Sequence, residues 1–391
     1  MSDAAPLIYL IAGEPSGDLL GGRLMIALKE KLGSHVRFAG IGGETMAAQG
    51  LVSRVALTEL AVMGVFEILP RLRRILAIMA DTVADIRRQR PAAVVTIDSS
   101  GFTYRVAERL RKAGDPPPLI HYVAPMVWAW RAHYAKRVAE RFDHLMALLP
   151  FEPPYFTAEG ITCAYVGHPV VESGADKGDG PAFRRRHAIP PDAKLLTVLP
   201  GSRRGEIKYL LPIFRETVLA LSRRHPGLRI VVPTAATVAD RVAAEIATWP
   251  VPSIVLPNGS EKYDAFAASD AALAASGTVA LELAMAKLPT VIAYRLNMLT
   301  HAYIDRVVKI DYANLINVIL DREAVPEFLQ YECTPENLGA AVGRLLDDKS
   351  AADAQIAAYG EALAVLGYGG QSPSARAADE VLSVIARSTK K

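Results

Sequence analysis

Short apolar runs recur along this chain, separated by stretches with a helical pattern. Leu7–Ala12 predicts a strand and Asp18–Lys31 a helix after it. Val36–Ala39, Ala93–Ile97, Leu119–Val123 and His144–Leu148 are further predicted strands. "LLPFEPPYF" then breaks the rhythm with its prolines and suggests a boundary, and the polar stretch "SGADKGDG" at 173–180 reads as a loop or linker. Alternation resumes with Leu195–Leu199, Arg229–Pro233, Ile254–Leu256, Ala271–Ala275 and Thr290–Tyr294. Strands alternating with helices predict an α/β chain: two Rossmann-like parallel-sheet domains in sequence, joined near residues 150–190 and facing a cleft. The expected bounds are 1–170 for the N-terminal domain and 171–365 for the C-terminal one. A final helix in 366–391 is expected to pack back on the first domain or on a partner subunit, which leaves a homodimer open.

Length and composition narrow the classes. The 391 residues suit two domains, and 51% hydrophobic with 22% charged residues is ordinary for a globular protein. A net charge of +3 is too weak a bias to imply nucleic acid. Cys163 and Cys333 lie far apart, form no metal-ligand pattern and fit a reducing cytoplasm. No run of 18 apolar residues occurs, so no transmembrane helix is expected.

Candidate chemistry gathers where predicted strands end. In "TVLPGSRRGEI", Gly201 lets backbone approach a phosphate, Ser202 and backbone N–H groups donate to it, and Arg203 neutralises it. A plain strand-to-helix turn with solvated arginines accounts for the same residues. In "AASGTVALELAM", Ser276, Gly277 and Thr278 would cap a helix at a natural pyrophosphate seat. Glu282, one turn on, could take both hydroxyls of a ribose, or be a surface acid on a capped helix. Asp98 in "VVTIDSSGF" sits just past a strand, as a general base or as the N-cap of a helix over 103–113. Glu14, Ser16 and Asp18 of "AGEPSGD" share that edge, although Asp18 could cap its own helix. "VGHP" at 166–169 reads as a tight turn near the domain junction, with His168 either structural or a donor in the cleft.

Other nucleotide signatures are missing. No G-x-G-x-x-G occurs, since "GIGGETM" has Thr45 where the last glycine belongs, and no G-x-x-x-x-G-K-[ST] occurs. No D-x-D occurs either, so no metal and no cofactor is expected to hold the nucleotide.

"AGEPSGDLLGG", "LAVMGVFEILPRLRR", "HYVAPMVWAWR", "LPFE", "LPGSRRGEI" and "ASGTVALE", in this order over nearly the whole chain, resemble the lipid A disaccharide synthase family. The resemblance implies the GT-B fold and an inverting transfer. UDP-2,3-diacylglucosamine would condense with 2,3-diacylglucosamine 1-phosphate to a β-1,6 disaccharide 1-phosphate and UDP. It further implies that Asp98 is the catalytic aspartate, that Arg203, Glu282 and Asn317 are donor-site positions, and that Ser16 and Asp18 belong to the N-terminal motif. The chain departs from the family pattern at Ser99, Ser100 and Gly101, where a small residue, a proline and an acid are usual. It departs again at Met126 for a serine and at Ile316 for a proline. These changes bear on the acceptor pocket more than on the reaction. Two other functions fit the nucleotide loops: a UDP-sugar epimerase, and a non-catalytic UDP-binding, membrane-docking protein.

Leu60–Leu69 is nearly continuous in apolar residues, with Glu67 its only charge. Pro70 is expected to end that run and a helix to begin with Leu72, while Arg71, Arg73 and Arg74 follow where anionic headgroups would lie. Val62, Met63, Val65 and Phe66 are therefore expected to face the acceptor or the bilayer, making the protein cytoplasmic and peripherally bound to the inner membrane. A core helix is the plainer reading of Leu72–Ile86.

Overall fold

The computed structural model describes residues 5–33, 35–60, 65–130, 133–259, 261–297 and 311–389, with backbone alone at 65–71, 130 and 258. The chain divides into two compact units, one made of residues up to Pro169 together with those from Gly369 onward, the other of Val170–Tyr368.

The first unit is built on a parallel sheet of β1 (Leu7–Ala12), β2 (Arg37–Ile41), β3 (Ala93–Ile97), β4 (Leu119–Tyr122), β5 (His144–Ala147) and β6 (Thr162–Tyr165). Their order is β2-β1-β3-β4-β5-β6. β1 shows why such strands read as unbroken apolar runs, because both faces of a parallel sheet are covered. Tyr9 and Ile11 pack with Ile78, Met79 and Ile86 of helix Val65–Gln89 and with Phe102 and Val106 of helix Ser100–Lys112. Ile8, Leu10 and Ala12 face the other way, toward Leu20, Leu24 and Leu28 of helix Pro15–Leu32 and Ala377 and Val381 of helix Pro373–Ser388. The last helix thus returns to the first unit of its own chain, where Lys31 and Asp379 pair at 2.7 Å.

The second unit repeats the plan with β7 (Leu195–Leu199), β8 (Arg229–Pro233), β9 (Ser253–Leu256), β10 (Ala271–Ala275), β11 (Thr290–Tyr294) and β12 (Glu327–Leu329), in the order β12-β11-β10-β7-β8-β9. Leu196 and Val198 of β7 pack against helices Arg204–Arg224 and Pro335–Asp347, and Leu195 against Phe183 and Ala265.

Three local expectations are corrected. The prolines of "LLPFEPPYF" do not end the first unit. Pro153 and Pro154 occupy the first turn of helix Pro153–Thr157, where their missing N–H groups cost nothing, and that helix leads to β6. Nor does Pro70 break the run ahead of a helix that begins with Leu72, since helix Val65–Gln89 begins before it and carries Pro70 in its second turn. The loop expected over 173–180 contains the single turn Ala175–Lys177 and opens helix Gly180–Arg186, capped by Asp179.

Candidate functional site

Strand order locates one switch point in each sheet, where successive connections leave in opposite directions and the following loops splay apart. In the first unit it lies between β1 and β3, and in the second between β7 and β10. The residues expected after β1, β3, β7 and β10 therefore stand at the two crevices where open α/β sheets bind ligands.

At the first switch point, Gly13 and Ser99 meet. A Cβ on Gly13 would lie 2.2 Å from the Ser99 hydroxyl oxygen, so glycine is required for the two loops to close. Glu14 is half-buried ahead of helix Pro15–Leu32, and Ser16 is exposed in its first turn. Asp18 is 5% exposed. Its carboxylate accepts the backbone N–H groups of Gly43 at 2.7 Å, Thr45 at 2.8 Å and Met46 at 3.1 Å. It therefore caps not its own helix but the next, Glu44–Ala48, and anchors "GIGGETM" under β1.

Asp98 and Ser99 both adopt left-handed backbone, each at φ 49°, between β3 and helix Ser100–Lys112. Such strain in non-glycine residues collects at functional sites. The corner is fixed from both sides: Asp98 donates its N–H to Tyr122 of β4 at 2.9 Å, and Thr103 Oγ1 donates to the Asp98 carbonyl at 2.9 Å. The helix starts at Ser100, not at 103, and Ser99 is its cap residue, so Asp98 does not cap it. The half-buried Asp98 carboxylate accepts no hydrogen bond from the described residues. The Tyr104 hydroxyl is raised above its ordinary pKa by burial first, then by the charges of Tyr134 and Asp98.

At the second switch point, Gly201 has φ 106°, and a Cβ there would lie 2.4 Å from Glu206 Oε2. That carboxylate folds back to accept the N–H groups of Ser202 at 3.0 Å and Arg203 at 3.2 Å, while Arg203 Nη1 donates to its other oxygen at 3.3 Å. The loop is thus closed by a capping box at the start of helix Arg204–Arg224, its N–H groups taken up by the chain's own carboxylate. The Arg203 side chain remains 70% exposed.

Beyond β10, Ser276 Oγ donates to the Ala313 carbonyl at 3.4 Å, and exposed Gly277 and Thr278 precede helix Val279–Met285. Thr278 stands in the cap position without a side-chain cap. Glu282 is half-buried. Lys262 Nζ donates to Oε2 at 2.8 Å and Tyr263 OH to Oε1 at 3.2 Å. Burial, and then the Glu282 charge, raise the Tyr263 hydroxyl above its usual range. Asn317 is fully buried and spent on backbone: its oxygen accepts from Ala324 and Val325, each at 2.9 Å, and its amide donates to the Val325 carbonyl at 2.8 Å. It shapes the turn over 317–325.

Val62 and Met63 lie outside the described residues, as do the side chains of Val65 and Phe66. In the same helix Leu72 and Leu76, one turn apart, are 37% and 38% exposed. Arg74 pairs with Glu59 at 2.7 Å. "VGHP" does turn, with Gly167 at φ 96°, and His168 is buried at 8% exposure. Sequence reasoning missed Lys262 and Tyr263, which precede Glu282 by most of a strand-helix unit, and Glu206 as a ligand of its own loop. It also gave no role to Glu152, a buried acid whose one signal is its place in the apolar, proline-rich "LLPFEPPYF". Among the described residues no group of His, Cys, Asp or Glu could hold a metal ion, and no helix is long and apolar enough to cross a membrane.

Comparison with known proteins adds sequence and fold likeness. The family described as lipid-A-disaccharide synthetase matches residues 8–371. The chain is 56% identical over 381 residues to a lipid-A-disaccharide synthase of Rhodospirillum centenum, covering 97% of this chain and 95% of that one. It is 54% identical to the one of Paramagnetospirillum magneticum, covering 97% of each. Among solved structures, a UDP-GlcNAc 2-epimerase from Neisseria meningitidis bound to UDP-GlcNAc superposes with TM-score 0.62 at 11% identity, over 97% of this chain and 100% of that one. MurG of Acinetobacter baumannii superposes with TM-score 0.56 at 15% identity, over 96% and 99%. Those two likenesses carry the fold alone, the GT-B fold of two Rossmann-like units. The sequence match carries more, and by it the chain belongs to the lipid-A-disaccharide synthase family of glycosyltransferases.

Proposed function

We propose that the chain transfers a 2,3-diacylglucosaminyl group from UDP to the 6-hydroxyl of 2,3-diacylglucosamine 1-phosphate, with inversion. The acceptor oxygen attacks the anomeric carbon as the bond to the diphosphate breaks, and the electron pair leaves on UDP. Asp98 takes the hydroxyl proton. The observation that carries this role is a carboxylate at a switch point, in strained backbone, that accepts no hydrogen bond from the described residues. It contrasts with Asp18, whose oxygens are filled by three N–H groups. Arg203, with the backbone of Ser202 and the Ser276–Thr278 turn, takes the growing diphosphate charge. Glu282, oriented by Lys262 and Tyr263, takes the ribose hydroxyls. Incubation with both lipid substrates should yield disaccharide, and Asp98→Asn should cut turnover by about 100- to 10,000-fold with UDP affinity kept. Near-normal turnover in that variant would sink the assignment.

The acylated substrates call for a membrane-facing surface. Exposed Leu72 and Leu76, with Arg73 between them, support peripheral, salt-sensitive docking by helix Val65–Gln89 and the apolar residues ahead of it. Met63→Ser with Phe66→Ser should release the protein from anionic vesicles and raise the acceptor KM. A variant that stays bound yet loses thermal stability would make the patch core.

A further inference from the structure

The loops that follow β4 and β5 are tied together by one buried carboxylate. Glu152 is 2% exposed. Its Oε1 accepts the indole N–H of Trp128 at 3.2 Å, and its Oε2 accepts the backbone N–H groups of Leu148 at 3.1 Å and Leu149 at 2.9 Å. Trp128 belongs to helix Val127–Trp130, and its ring stands edge-on to Phe151 with centroids 5.1 Å apart. The chain leaves β4 through Val123 at φ 84°, a costly conformation for a β-branched residue. Just before it, the Tyr122 carbonyl accepts the N–H of Asp98. The exit of β4 is therefore held on one side by the backbone of Asp98 and on the other, through Trp128, by Glu152.

As a device for stability alone this is a poor choice. A buried carboxylate on three neutral donors, without a cation among the described residues, carries a desolvation cost that an apolar side chain would not. We infer that Glu152 is a positioning residue for the transfer: by fixing Trp128 it sets the loop that leaves β4 beside Asp98, where Met126 stands 54% exposed, and with it the face offered to the acceptor. This assignment rests on the reading of Asp98 as the acceptor's base.

Protonation should loosen the tie, because a neutral carboxyl is a weaker acceptor of the Trp128 N–H than a carboxylate. Burial pushes the Glu152 carboxyl up to about 7, against the pull of the Leu149, Trp128 and Leu148 N–H groups. Cys163, on the neighbouring β6, is the ionisable group whose titration feels Glu152. Burial and that charge raise its thiol to about 12, so it stays neutral.

The test measures kcat and both substrate KM values for wild type, Glu152→Gln, Trp128→Phe and the double variant, over about pH 6 to 8. In wild type the acceptor KM should climb as pH falls through 7. Each single variant should raise acceptor KM roughly tenfold, the worth of about one hydrogen bond, and flatten its pH dependence. Donor KM and UDP affinity should hold, and the double variant should be no worse than either single. Iodide quenching of Trp128, taken as wild type minus Trp128→Phe, should rise on acidification and be high at every pH in Glu152→Gln. Additive losses, an unaltered pH profile in Glu152→Gln, or equal losses in donor KM would overturn the inference. If wild type forms no disaccharide while the quenching response appears, it is the transfer reading that has failed. If disaccharide forms and neither quenching nor acceptor KM responds, it is the tie.

Discussion

The Glu206 carboxylate takes up the N–H groups of Ser202 and Arg203, the donors that a diphosphate would need at this loop. An incoming anion must displace it, whereas Arg203 stays 70% exposed and available. The two residues should then change nucleotide affinity in opposite directions. Arg203→Ala removes a charged donor and should weaken UDP by about 1.5–3 kcal/mol. Glu206→Gln removes the competing charge and should tighten UDP, on the order of tenfold. Calorimetric titration decides, and unchanged affinity in both would place the nucleotide elsewhere. Little of this was legible in "LPGSRRGEI", because sequence shows which groups can bind an anion and not which anion already occupies them. Asn317 makes the same point: family pattern marks the position, but burial commits its amide to the Val325 turn.

Among the elements, the strands that read most clearly were those covered on both faces. Leu7–Ala12, Ala93–Ile97, Leu195–Leu199, Arg229–Pro233, Ala271–Ala275 and Thr290–Tyr294 run as the apolar pattern predicted. Strands β6 and β12 escaped notice because Thr162–Tyr165 and Glu327–Leu329 are short and neither shows a continuous apolar run. The short helix Glu44–Ala48 was illegible for another reason. Its N-terminal partner, Asp18, comes from the preceding βα unit, a pairing that no local pattern encodes. Neutralising Asp18 weakens the acceptor that three N–H groups share at the start of helix Glu44–Ala48. Asp18→Asn should therefore cost about 1.5–3 kcal/mol and lower the thermal midpoint, with activity falling only as the folded fraction falls. Activity lost at an unchanged midpoint would show that the carboxylate acts in the chemistry instead.

At the level of the whole molecule, acid tests the first of the two units through its buried histidines. The first buries His121, His144 and His168 as neutral rings. Burial drives His121 down to about 3 and His168 to about 4, and burial with the charge of Arg387 drives His144 to about 4. Above pH 6.5 these rings are neutral whether folded or not and cost nothing. Below it the unfolded chain gains protons that these rings refuse, so their contribution drains stability between pH 6.5 and about 3, offset in part by Glu152, which takes its proton earlier folded than unfolded. The thermal midpoint of the first unit should thus fall on acidification through this range; a midpoint unchanged from about pH 6.5 to 4 would count against it. The same unit closes only when helix Pro373–Ser388 arrives to cover Leu24 and Leu28 with Ala377 and Val381. On the ribosome that helix emerges after all of Val170–Tyr368. The second unit can therefore mature during translation, while the first waits with an apolar face uncovered until helix Pro373–Ser388 has been made. That waiting half-built sheet, rather than either finished unit, is the species most in need of a chaperone.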